Sequence, residues 1–324
     1  MVSRYRPPYP RGAGIASVCC LLALAGCGGA GHSASTTVAN QPKPVNKVQT
    51  GGAPIGLLAY AGQLWVADAK TDRVLRVAPQ SGRVTARVPV GRTPLRVVAF
   101  GGKLWSTDFG GGTVSVVSPS PLRRVATVRV GPQPEGIVPF GGDVWVVSQQ
   151  GGYLARLAPD AGFSVERVPV GRQPRQVTTG AGELWVSVYG DNSVVEVDPW
   201  TRRVVARIRA CQGPQGLGFG GGQLWVGCTD GGELVDIDPR SHRVVRRVPY
   251  VSADAVTPAG PGLRVTSDDG PSTAILNPVS GALSHKARLS DAFIGDANAD
   301  VVAAGGSVWV SSPDEGTVYR VPPG

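Results

Sequence analysis

The sequence predicts an all-β fold, a ring of seven four-stranded blades, on three observations. First, a Trp between aliphatic residues recurs about every forty residues: Leu64-Trp65-Val66, Leu104-Trp105-Ser106, Val144-Trp145-Val146, Leu184-Trp185-Val186, Leu224-Trp225-Val226 and Val308-Trp309-Val310, with an eroded copy at Leu263-Arg264-Val265. Second, a Pro stands fourteen residues past each of these positions, at Pro79, Pro119, Pro159, Pro199, Pro239, Pro278 and Pro323. Third, the chain holds 46 Gly and 28 Pro and has no long helical pattern, which reads as short strands and tight turns. A fixed period of this length marks a repeat architecture, and four strands per forty residues is the blade of a β-propeller.

Each blade is justified element by element. The inner strand opens after a Pro, as in Pro54-Ile55-Gly56-Leu57, Pro94-Leu95-Arg96-Val97 and Pro134-Glu135-Gly136-Ile137. A Gly turn such as Gly101-Gly102 follows, where positive φ costs little. The second strand carries the Trp, which is expected to pack between neighbouring sheets. A polar loop leads to the third strand, as in Val74-Leu75-Arg76-Val77, which stops at the recurring Pro. A turn such as Ser81-Gly82 then opens the outer strand, Val84 to Val90. The seventh blade runs out of chain at Pro323-Gly324, where its outer strand should begin. Val45 to Gly51 aligns without gaps on Thr85 to Gly91, so the N-terminal segment is expected to supply the missing strand and close the ring.

The segment before the ring has a different character. Arg4, Arg6 and Arg11 precede a short apolar run from Ile15 to Gly26, too short for a stable span. It ends in Leu24-Ala25-Gly26-Cys27, which resembles the bacterial lipobox; the resemblance implies acylation at Cys27, so residues 1–27 are expected to be a lipoprotein signal peptide. Residues 28–44 are mostly small and polar and cannot bury a core. As a tether of about 17 residues they would span roughly 20–25 Å. Residues 45–324 make the propeller. The expected location is the cell envelope, outside the cytoplasm, with the membrane reached through the lipid.

Losing three of the 32 basic side chains with the signal leaves 29 against 23 acidic ones, near +6. Outside the cell, nucleic acid is not the expected partner; an envelope protein or a small ligand is, and the chain is expected to be a monomer. Of five Cys, only Cys211 and Cys228 belong to the ring. Cys228 should fall opposite residues 213–214 in a hairpin, close enough to Cys211 for a disulfide in an oxidising compartment.

The loops that enter the inner strands and those that leave the second strands share one face around the central channel. From these loops we select Asp68, Asp108, Glu135, Arg175, Gln215, Asp268 and Asp296 as candidate ligand-binding residues. Blade six to blade seven takes 45 residues, from Arg264 to Trp309, and the extra ones lie around Asp291 to Asn298 on this face. No catalytic residues are assigned. His32 lies in the tether, His242 in an outer turn and His285 on an outer strand, so no His is expected to act as a base in the channel. No cofactor or metal site is assigned, although acidic loop oxygens admit a divalent cation.

The repeated Pro-x-Gly, Gly-Gly-x-Leu-Trp-Val and Gly-x-Val-x-x-Val-Asp-Pro segments over residues 45–324 resemble the YncE-like or YVTN propellers. They are also similar to virginiamycin B lyase (streptogramin lyase) and to NHL-type propellers. Two functions follow: a lipid-anchored binding or scaffolding module, or a metal-dependent lyase or lactone hydrolase. The lyase resemblance implies a channel His and a divalent cation, and no His matches that place in this chain.

Overall fold

The computed structural model describes residues 46–259, 262–290 and 299–323. The chain is an all-β, seven-bladed propeller of four-stranded antiparallel sheets. Blade one is typical, with strands Pro54–Tyr60, Gln63–Asp68, Arg73–Ala78 and Arg83–Pro89 from the channel outwards. In the seventh blade the outer strand is Asn46–Gln49, paired antiparallel with Thr317–Val321 in the register Lys47↔Tyr319 and Val48↔Val318. The N-terminal strand therefore closes the ring, as the alignment of Val45 to Gly51 on Thr85 to Gly91 predicts. Cys27, the signal and tether segments and the Asp291 to Asn298 insertion, with Asp296, lie outside the described residues.

The core sits between blades. Trp105 packs against Ile137, Val144, Val146 and Leu157 of the next blade, and Trp309 against Leu57, Leu64 and Val66 of the first. All six Trp of the motif are at most 2% exposed. Burying an indole leaves its N–H to be satisfied. Trp65, Trp105, Trp145, Trp185 and Trp309 donate to the carbonyl five residues back, at 3.0–3.3 Å. Arg264 occupies the eroded position, equally buried, and donates to the Pro323 carbonyl.

The outer strands are sheet edges. They turn Arg83, Arg87, Arg123, Arg203, Arg209 and Arg243 to solvent. Cations along an exposed edge discourage pairing with another chain.

In blades one, three and six a recurring tie holds the second strand to the loop before its own inner strand, three residues past the Trp or past Arg264 in its place. Asp68 Oδ1 accepts the Ala53 N–H (2.9 Å), Ser148 Oγ donates to Pro132 O (2.7 Å), and Ser267 Oγ donates to Val251 O (2.7 Å). In blade five a covalent bond takes this place. Cys211 and Cys228 form a disulfide with a Cα–Cα distance of 6.0 Å, and Cys228 lies opposite Pro214.

Candidate functional site

The site at the channel mouth grows out of one local irregularity. In blades one to six the pairing of inner and second strands slips just after the inner strand begins, for example between Pro134 and Ile137 and between Ala253 and Val256. Such bulges re-aim side chains. The residues before them, Thr93, Gln133, Gln173 and Ser252, take φ between 45° and 55°. A left-handed φ on non-Gly residues is costly and needs fixed surroundings. Here the fixing is regular. The carbonyls of Ala53, Thr93, Gln133, Gln173, Gly213 and Ser252 accept the N–H of Ala69, Phe109, Gln149, Tyr189, Thr229 and Asp268, at 2.9–3.1 Å.

Two rings of residues result. One follows the entering loop, in register: Ile55, Leu95, Glu135, Arg175, Gln215, Asp254 and Ala299. The other is Ala69, Phe109, Gln149, Tyr189, Thr229 and Asp268. Blades one, two and seven thus give the mouth an apolar half, and blades three to six give it a polar half. A third ring, one residue deeper, is Gly56, Arg96, Gly136, Gln176, Gly216, Ala255 and Asp300. Its small members let inner strands meet: a Cβ on Gly216 would lie 1.9 Å from the Asp254 carbonyl oxygen. The room left over is filled by Arg96, Gln176 and Asp300.

The polar half is hydrogen-bonded across blades. Arg175 Nη1 lies 3.4 Å from Glu135 Oε2, and its guanidinium sits 4.9 Å from the Tyr189 ring centroid. With its amide oriented to donate to Gln133 (3.0 Å), Gln149 accepts from Arg175 at 3.2 and 2.9 Å. Burial works against the Arg175 charge and Glu135 restores it, so the guanidinium stays firmly protonated. Arg96 Nη1 lies 3.6 Å from Asp300 Oδ2, and the Gln176 oxygen, suitably turned, accepts from Arg96 Nε and Nη2 at 2.8 Å. Gln215 Nε2 donates to Asp254 Oδ1 at 2.6 Å. Asp254 and Asp268 contact each other, and burial raises the pKa of both. Below lies a cavity of about 300 Å³, lined by Arg96, Gln176, Asp254 and Asp300 and by aliphatic residues from Leu57 to Val302.

Four of the residues chosen from sequence, Glu135, Arg175, Gln215 and Asp268, meet in this polar half. Asp68 and Asp108 do not. Both are buried and turned to their own loops: Asp68 holds Ala53 and Thr71, and Asp108 Oδ2 accepts from Thr113 and Ser115, each at 2.8 Å. They are loop ties, because a short carboxylate beside free N–H and O–H groups is satisfied locally. Sequence reasoning missed Arg96, Gln176, Asp254 and Asp300. The signal for Asp254 was its column: set Ala253 under Pro214 and Asp254 falls under Gln215. Blade six lacks that Pro, which hid it.

The two described His residues are elsewhere. His242 Nε2 lies 2.7 Å from Glu196 Oε2, on the outer side of Trp185, and His285 is exposed on an outer strand. Among the described residues no three His, Cys, Asp or Glu side chains are grouped to hold a metal ion. No helix among them is long and apolar enough to cross a membrane.

No family model and no curated protein matches the sequence. Solved structures match by fold. A streptogramin B lyase structure superposes with a TM-score of 0.69 at 16% identity, over 86% of this chain and 96% of that one. A hydrazine synthase chain from Kuenenia stuttgartiensis gives 0.69 at 16% identity, over 90% and 99%. A chain of the mitotic checkpoint complex gives 0.72 at 12% identity, over 93% and 99%. At 12–16% identity the likeness is one of fold.

Proposed function

We propose that this protein is a lipid-anchored, extracytoplasmic propeller that acts by binding, and that its binding site is the channel mouth. The observation that carries the reading is the divided mouth. Glu135, Arg175, Gln215 and Asp254 are aimed by bulges and held by bonds across blades, facing Ile55 and Leu95. A concave site with a few fixed polar groups and an apolar wall suits a small ligand or the side chains of an envelope protein. Acylation at Cys27 would hold the ring at the membrane through residues 28–44.

The second reading, a metal-dependent lyase or lactone hydrolase, draws on the fold shared with streptogramin B lyase. The described residues do not fit a divalent cation: among them no third carboxyl or His groups with Asp254 and Asp268. The test has two arms. Cys27→Ala should move the protein from the membrane fraction to the soluble fraction. Mg²⁺ or Ca²⁺ added to the purified protein should leave its melting temperature unchanged. Membrane association of the cleaved variant would remove the anchor, and a metal-induced shift lost in Asp268→Asn would restore the enzyme reading.

A further inference from the structure

The charges of the channel mouth do not balance within it. Arg96 is matched by Asp300 and Arg175 by Glu135. Two acids remain, Asp254 and Asp268. They come from the inner strand and from the loop after the second strand of the same blade, and the bond from the Asp268 N–H to Ser252 O brings them together. Asp254 is 1% exposed and lines the cavity. Its Oδ1 accepts from Gln215, whereas Asp254 Oδ2 and Asp268 Oδ1 are buried without a donor. Two carboxyls in contact away from water do not both ionise. One proton therefore serves the pair. Arg96 and Arg175 draw it off and Asp300 opposes that, and burial together with the partner carboxyl outweighs the arginines for Asp268.

We infer that the channel mouth takes a small organic ammonium with an apolar substituent, its charge held between Asp254 and Asp268 in place of the proton they share. The exchange balances: the ammonium enters as a cation, the pair goes from one negative charge to two, and one proton leaves to solvent. Two features select this class. Among the described residues only two carboxyls converge here, too few to ligate a divalent metal. Ile55, Leu95 and Phe109 form the other half of the mouth, and Leu57, Val97 and Ile137 line the cavity below, so an apolar group has somewhere to go.

The inference rests on the proposed binding role of the mouth, and the experiment separates the two. Phenethylamine, phenylacetate and 2-phenylethanol are titrated calorimetrically into the purified protein at pH 6 and pH 8, in two buffers of different ionisation enthalpy. Phenethylamine alone should bind, releasing up to one proton, with affinity rising by as much as tenfold per pH unit. Asp254→Asn and Asp268→Asn, which copy the protonated pair, should keep their melting temperatures and bind the amine at least tenfold more weakly. Arg83→Ala, on the outer rim, should bind as the parent does. Equal binding of the alcohol, pH-independent amine binding, or full amine binding by Asp254→Asn overturns the inference, as does displacement of the amine by Ca²⁺. Binding of phenylacetate that Arg175→Ala abolishes overturns the cation assignment and leaves the mouth as the site. No heat from any of the three overturns both.

Discussion

The Cys211–Cys228 bond replaces a hydrogen bond that other blades use at the same place, so its contribution can be isolated. Its sequence separation is 17 residues. In the chain-entropy view, cross-linking a loop of this size removes about 10 cal/mol/K from the unfolded chain, or about 3 kcal/mol at 25 °C. A ring of about 280 residues unfolds with an entropy near 590 cal/mol/K, so the loss lowers the melting temperature by about 5 °C. Reduction with dithiothreitol, followed by urea unfolding, measures the bond without changing packing. The double variant Cys211→Ala, Cys228→Ala should lose at least as much, because Cys228 is fully buried and its sulfur fills space. Cys211→Gly with Cys228→Ser copies the Gly131 and Ser148 arrangement of blade three and should recover about 1 kcal/mol through a hydroxyl-to-carbonyl bond. A reduced protein that unfolds at the urea midpoint of the oxidised one would refute the reasoning: the tie would then be geometric and carry no stability.

Two further outcomes follow from the same packing. Deleting residues through 50 removes the closing strand, including buried Val48 and the Thr50 N–H bond to Gly316, and should destabilise the ring by several times the roughly 2 kcal/mol of one buried Val, whereas deleting only 28–43 should not. Equal melting temperatures would mean that closure does not depend on this strand. Asp108, fully buried, has its pKa raised by burial to about 6 from 3.8, against the pull of Ser115 and Thr113. A raised folded-state pKa gives stability that is whole below the unfolded value and is lost as pH rises through about 6. Asp108→Asn should therefore gain on the parent by up to about 3 kcal/mol between pH 4 and pH 8 in urea midpoints, and a flat difference would rule the shift out.

The architecture was legible because repetition is a one-dimensional signal. Trp65 to Trp309 mark the blades, the Pro fourteen residues later mark the third strands, and the likeness of Val45–Gly51 to Thr85–Gly91 marks the closing strand. Even the disulfide was legible, since a hairpin puts Cys228 opposite Pro214 by counting. Each of these depends on residues near in sequence or equal in phase. The candidate site was legible only in half. Glu135, Arg175, Gln215 and Asp268 were found from loop position, but the same rule also selected Asp68 and Asp108, whose carboxylates turn back to their own loops. Loop position says which face a residue is on and says nothing of which way a bulge turns it.

By itself, then, the sequence determined the seven blades, their order, their buried Trp and the strand that closes them, because period and strand alternation act locally and each blade repeats the same solution. Only the tertiary structure decided which charges meet. Arg96 finds Asp300 past blade one, 204 positions away, and Arg175 reaches Glu135 a full blade back. Among the described residues that pairing leaves Asp254 and Asp268 with no salt bridge of their own, and Arg96 and Arg175 act on them only from a longer range. Pairing across a channel depends on the curvature of all seven blades together, and no local pattern carries that information.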